Sequence, residues 1–269
     1  NTDRNRTSPF AFTGNKFEFR MCGSQQNLSD PNVVLNTAVA EQCDRFCSYV
    51  ADRIGELGDF TQVAMRFVRH TFRDHQRVIF DGNGYADEWE EEAARRGLLN
   101  LKTTPDALPC MVEPQNIAFM EKYSVLSEAE SRARYAAAAE QYAKLINIEA
   151  NTMVYMARHL YLPALFSYSG DIATSVAAKA EIGIAATAEK ATVVALTDGI
   201  NAIHEAVAEL EEKNSHAHGI ASCKEQDDFY RDEVIPAMAR LRELVDGMER
   251  ICGRDYWPVP SYNRMLFYV

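Results

Sequence analysis

Two periodicities divide the chain. Near its start Phe17, Phe19 and Met21 alternate with Lys16, Glu18 and Arg20, the period-2 pattern of a half-buried strand. The apolar run Phe10-Ala11-Phe12 is placed to pair with it through a turn at Thr13-Gly14-Asn15. After a polar, glycine-containing loop over residues 22–30 the period becomes helical. Asp30-Pro31 predicts an N-cap followed by proline at the first helical position. Val34, Leu35, Val39, Cys43, Phe46, Val50 and Ile54 then recur mostly at three- and four-residue steps. Gly58-Asp59 ends or kinks this helix, and Val63, Met65, Phe67, Val68 and Phe72 begin another. Residues 80–84 form a turn cluster, residues 87–96 a short acidic helix, and residues 103–109 a loop with two prolines.

From Ser127 onward the pattern is helical almost throughout. Ser127 with Glu130 is a candidate capping box, opening a helix to about Tyr161, where Pro163 interrupts it. Within residues 172–212, Leu196, Ile200, Ile203, Val207 and Leu210 step alternately by four and three. Val234, Met238, Leu241, Val245 and Met248 do the same in residues 227–251, with Pro236 kinking that helix or marking its true start. A turn over residues 214–219 joins the two into an antiparallel hairpin with a coiled-coil-like seam. The matching heptads are too few for a free-standing coiled coil, which favours a bundle within or between subunits. The closing residues 256–269 are aromatic and apolar, and so must pack against something. The expected fold is mainly α with a short β element at the N-terminus and long antiparallel helices. It divides at residues 1–58, 59–255 and 256–269.

Composition narrows the function classes. Over 269 residues, 47% hydrophobic and 25% charged content suit a soluble globular chain. A net charge of −11 argues against a general nucleic-acid binder. No apolar run reaches the roughly 18 residues of a membrane span, and no signal peptide is apparent. The chain opens on Asn1 rather than methionine, with the charged strand close behind, as expected of a piece of something longer. Six cysteines without a C-x-x-C pair fit a reduced, cytoplasmic protein.

The chemistry concentrates in the first strand. Lys16, Glu18 and Arg20 stand roughly 6–7 Å apart along one face, with Arg4 and Arg6 upstream. Four cations around one carboxylate suit a polyanion with a divalent metal; a solvated sheet edge is the equally weighted alternative on the pattern alone. Elsewhere the candidates are weaker. His216-x-His218 reads as an exposed polar turn before it reads as a metal pair. Cys43 and Cys47, four apart on a helix, read as core residues, and His70 and His75 as surface residues. The run at residues 81–84 lacks the later ligands of a calcium loop. The acidic run 87–92 reads as a solvated helix start. No phosphate loop, dinucleotide fingerprint or nucleophile elbow is present.

The residues that carry the strand also carry a resemblance. Residues 5–20, followed by Gln26-Asn27, residues 31–37, 75–85, 101–105 and 230–238, and the closing 257–262, resemble type III glutamine synthetase. The likeness covers nearly the whole chain, as the C-terminal part of a family member. It implies that residues 1–58 end an α+β catalytic domain. It also implies ATP-dependent ligation of ammonia to glutamate through γ-glutamyl phosphate, with magnesium or manganese. By this resemblance Glu18 is a metal ligand and Arg20 contacts the glutamate side chain or the transferring phosphoryl group. Arg6 reaches the ATP phosphates, Arg4 is a second upstream match, and Lys16 stands where type I enzymes carry an arginine near the nucleotide. The resemblance further implies a ring-type homo-oligomer, a dodecamer, with no nucleic-acid or membrane partner. The alternative is a helical oligomerisation module without activity of its own.

Overall fold

Why these residues form long helices is set by alanine, leucine and charged side chains of high helical propensity, interrupted only where proline and glycine fall. The computed structural model describes residues 10–12, 17–19, 27–80, 82–84, 86–260 and 262–266. It is mainly helical. The strands β1 (Phe10–Phe12) and β2 (Phe17–Phe19) pair antiparallel, with Phe10 opposite Phe19, Ala11 opposite Glu18 and Phe12 opposite Phe17. The described chain forms two compact units, residues 1–102 with 114–128, and residues 103–113 with 129–269.

In the first unit α1 (Ser29–Leu57) and α2 (Phe60–Asp74) form a helical hairpin. Gly58 closes α1 in the left-handed region, φ 62°, and its N–H donates to the Ile54 carbonyl at 2.9 Å. Asp59 then caps α2, its carboxylate accepting from the Thr61 N–H at 2.9 Å. Phe46 and Tyr49 of α1 meet Phe67 of α2 edge-on at 5.2 and 5.3 Å, over the fully buried Val63. The start of α1 differs from the expectation. Asp30 lies inside the first turn, and the Asn27 carboxamide oxygen accepts from the Ser29 N–H at 2.8 Å. The acidic α3 (Asp87–Arg95) presents Asp87, Glu88, Glu90 and Glu91 to solvent, as a helix start of that charge should.

Residues 103–109 are helical rather than a loop. Pro105 and Pro109 each stand in the first positions of a short helix, α4 (Thr104–Ala107) and the 3₁₀ turn Leu108–Val112, where the missing N–H costs nothing. The pattern also passed over α5 (Pro114–Lys122), which Tyr123 and Lys122 tie to Asp44 of α1 at 3.1 and 3.4 Å.

The second unit is a bundle of α6 (Glu128–Met156), α7 (Leu162–Glu181), α8 (Thr187–His218), α9 (Cys223–Phe229) and α10 (Ile235–Glu249). Pro163 does not interrupt the chain's course. A π turn, Ala157–Tyr161, joins α6 to α7, and the Leu162 N–H reaches back five residues to the Ala157 carbonyl. Pro236 is absorbed in the same way by the π turn Tyr230–Val234, where the Ile235 N–H bonds the Tyr230 carbonyl. The wider turn lets the residue before each proline keep its backbone bond where proline itself has no N–H to donate. Residues 214–218 continue α8 instead of turning, because the chain reverses only at Gly219–Ser222. There Ser222 caps α9 and the Gln226 carboxamide donates to the Ala217 carbonyl at 2.9 Å. Between α7 and α8 the reversal uses Gly183, φ 76°.

α8 packs on both α7 and α10, and its Leu196, Ile203, Val207 and Leu210 are buried with Leu165, Tyr230, Val234, Leu241 and Val245. Part of the apolar C-terminal segment joins this core: Trp257 is buried and stacks on Tyr161 at 5.1 Å, and the Tyr256 hydroxyl donates to Asp171 at 2.6 Å. Met265 and Leu266, in α11 (Tyr262–Leu266), remain exposed. No helix among the described residues is long and apolar enough to cross a membrane.

Three polar side chains, Ser131, Asn214 and Asp227, are buried within this unit. The Asn214 carboxamide donates to Asn147 at 2.8 Å and to Asn151 at 3.2 Å, bridging α8 to α6. Asp227 is 2% exposed and one of its carboxylate oxygens has no hydrogen-bond partner. Burial, and secondarily the neighbouring Asp228, push its carboxyl up from 3.8 to about 6, against the opposing pull of Lys224.

These packing differences have measurable consequences. Ile203→Ala is expected to cost about 2–5 kcal/mol of unfolding free energy in urea, whereas Ile148→Ala, at a site 61% exposed, should stay within about 0.5 kcal/mol. Because folding raises the Asp227 carboxyl's affinity for its proton, stability should fall as pH rises from about 4 to about 6 and then level off. Asp227→Asn should match the parent below about pH 4 and exceed it by up to about 3 kcal/mol at pH 7–8. Denaturant midpoints measured across that range decide the point.

Candidate functional site

β2 places the only described member of the charged array. Glu18 is half-buried, opposite Ala11 in the two-stranded ladder, and α1 begins eleven residues beyond it. Arg4, Arg6, Lys16 and Arg20 lie outside the described residues. A strand is a rigid mount for a side chain.

Whether these residues hold a divalent cation is a question of ligand number. Such an ion takes six or more oxygen ligands, several from the protein. Among the described residues no group of three or more histidine, cysteine or acidic side chains is arranged to hold a metal. Glu18 is one ligand, and one ligand does not make the centre. The pair His216 and His218 does not make one either. Both are on α8, two residues apart and therefore on different faces, and His216 rests against the Phe229 ring at 4.9 Å. Cys43 and Cys47 are exposed free thiols, not core residues.

Part of another stretch carrying the resemblance, residues 75–80, is held by aromatic and cationic contacts. Phe80 stacks on Trp89 of α3 at 4.0 Å, and Arg96 lies 5.5 Å over the Trp89 ring. Arg96 also donates to the Ile79 carbonyl at 2.8 Å and pairs with Glu92. The Arg96 and Arg95 guanidiniums hold the Glu92 carboxyl below its ordinary range. Loop, indole and guanidinium thus fix one another. In the second unit the stretch at residues 230–238 centres on Arg231, which bonds Asp106 of α4 at 2.8 Å, Asp228 at 3.0 Å and Asp232 at 2.7 Å. Sequence reasoning missed this network and the Asn147–Asn151–Asn214 bridge. The latter had a legible signal, since Asn214 falls on the next step of the α8 seam, four residues after Leu210.

Comparison with known proteins gives these placements a family. The glutamine synthetase C-terminal domain family matches residues 64–180. The chain is 36% identical, over 99% of its length, to the type-3 glutamine synthetase of Dictyostelium discoideum. It is 33% identical to the glutamine synthetase of Butyrivibrio fibrisolvens and 31% identical to that of Bacteroides fragilis, again over 99% of its length. It spans only 37–38% of the length of these relatives. The chain belongs to the type-3 glutamine synthetase family and carries the family's C-terminal domain.

Proposed function

We propose that this chain forms one wall of the active site of an ATP-dependent glutamate–ammonia ligase. The observation that carries the reading is Glu18, a half-buried carboxylate on β2, set in sequence between Lys16 and Arg20 and next to the family's matching stretches. In the reaction the glutamate γ-carboxylate attacks the terminal phosphorus of ATP and ADP leaves. Ammonia then attacks the acyl carbon of γ-glutamyl phosphate, and inorganic phosphate leaves. A protein contributes to such transfers by positioning and by neutralising charge. Arg20 holds the glutamate side chain or the moving phosphoryl group, Arg6 the ATP phosphates, and Arg4 and Lys16 assist at the nucleotide. Glu18 supplies one oxygen ligand toward magnesium or manganese, with the remaining ligands on segments of a relative-length protein outside this chain. The exposed apolar side chains Val34, Val39, Val68 and Phe72 of the α1–α2 hairpin are the face such segments would cover. The reading places the enzyme in the cytoplasm.

A second reading is supported by a separate observation. Leu145, Ile148 and Tyr155 of α6 are 40%, 61% and 60% exposed at helical spacing, an apolar stripe suited to self-association into a ring-type oligomer such as a dodecamer. The two readings are compatible.

In the relative-length enzyme, Glu18→Ala should lower turnover by about 100-fold or more and weaken manganese binding; unchanged turnover and metal affinity would overturn the assignment. Arg20→Lys keeps the charge but loses the planar fork, and should also impair turnover. Ile148→Arg should reduce the oligomer's size in light scattering while the circular dichroism of the helices stays unchanged.

A further inference from the structure

A cavity of about 610 Å³ opens in the second unit between the end of α6, the length of α10 and the C-terminal segment, within the size range of small-ligand sites. Met153, Met156 and Met238 line it, together with the Trp257 ring, which is stacked on Tyr161. Thioethers and flat rings adapt to an apolar guest. Both helical walls reach the cavity through a π turn: Ala157 and Tyr161 belong to the first, and Ile235 directly follows the second. Such turns are frequent at functional sites.

The polar groups of the lining carry a sign. Arg242 donates from its Nε to both carboxylate oxygens of Asp246 at 2.7 Å, so its charge is matched. Glu249, exposed and also in the lining, adds a second carboxylate. Tyr161 supplies a hydroxyl that burial first, and Glu249 second, keep protonated. Two carboxylates against one guanidinium leave a negative surplus beside aromatic faces, the surroundings that select an organic ammonium.

We propose that this cavity is a binding site for a small amphipathic amine, its apolar body against the methionines and Trp257 and its ammonium at Glu249 and Asp246. The site lies wholly in the second unit and does not rest on the ligase reading.

The probe is phenethylamine, titrated into the full chain labelled at the methionine methyl groups and followed by nuclear magnetic resonance. Saturable shifts of the Met153, Met156 and Met238 methyls are expected, with phenylacetate, equal in size and opposite in charge, giving none. Glu249→Gln, a surface change, should weaken binding by about 10-fold. In Trp89→Phe, which leaves Trp257 as the only tryptophan, emission should follow the same curve. The proposal is overturned if these methyls do not shift up to about 10 mM phenethylamine. It is equally overturned if phenylacetate binds as tightly, or if Glu249→Gln leaves the affinity unchanged.

Discussion

Leu196, Ile203, Val207 and Leu210 are buried along a single seam of α8, and the second unit depends on that burial. α7 and α10 both pack on α8, so each owes its place to the same apolar line. At roughly 25 cal/mol per Å² of apolar surface removed from water, a seam of full-sized aliphatic side chains outweighs any single polar contact in the unit. The two prolines are tolerable for the same reason. An isolated helix loses about 3 kcal/mol or more to an interior proline. Here the chain widens into a π turn on each occasion, keeps its remaining backbone bonds, and retains the apolar register on which α8 relies.

Polar groups inside such a unit favour one arrangement over its alternatives rather than adding bulk stability. Asn214 replaces an aliphatic side chain at a seam position and finds Asn147 and Asn151 across on α6. Shifted by one helical turn, α8 would bring an aliphatic residue to those amides and carry Asn214 away from them. A buried amide of this kind selects register at some cost in stability. At Asp227 burial penalises a charge, which the nearby Lys224 offsets only in part. Asn214 and Asp227 each keep one buried oxygen without a partner among the described residues, and the uncharged amide bears this at lower cost than the carboxylate.

Much of the fold was legible because periodicity reports burial directly. The 4-3 alternation in α8 and α10, the Gly58-Asp59 break and the acidic start of α3 all reflect local physics that the structure repeats. What was not legible turned on context. Pro105, Pro109 and Pro163 read as loop residues or interruptions, yet each stands at a helix start, and Pro236 marks the true start of α10, one of the two readings its position allowed. Residues 214–218 look like a polar turn, but α8 continues through them because Asn214 and Ala217 are buried while His216 and His218 face outward. Cys43 and Cys47 recur at core spacing but lie on an exposed flank of α1. Periodicity cannot say which of two apolar faces has a neighbour.

The candidate site is legible in the sequence as chemistry alone, since Glu18 is its one member among the described residues. Alternation put Lys16, Glu18 and Arg20 on one face of a strand, and only the family resemblance raised that face above a solvated edge. On the ligase reading, the limit follows from the reaction itself. Two carboxylates, a triphosphate and a divalent cation must be brought together against their mutual repulsion and their hydration, which no single strand can do. Cations and ligands have to converge from several elements. On that ligase reading, Glu18 on β2 offers one carboxylate toward such a site, and the chain spans 37–38% of its relatives' length.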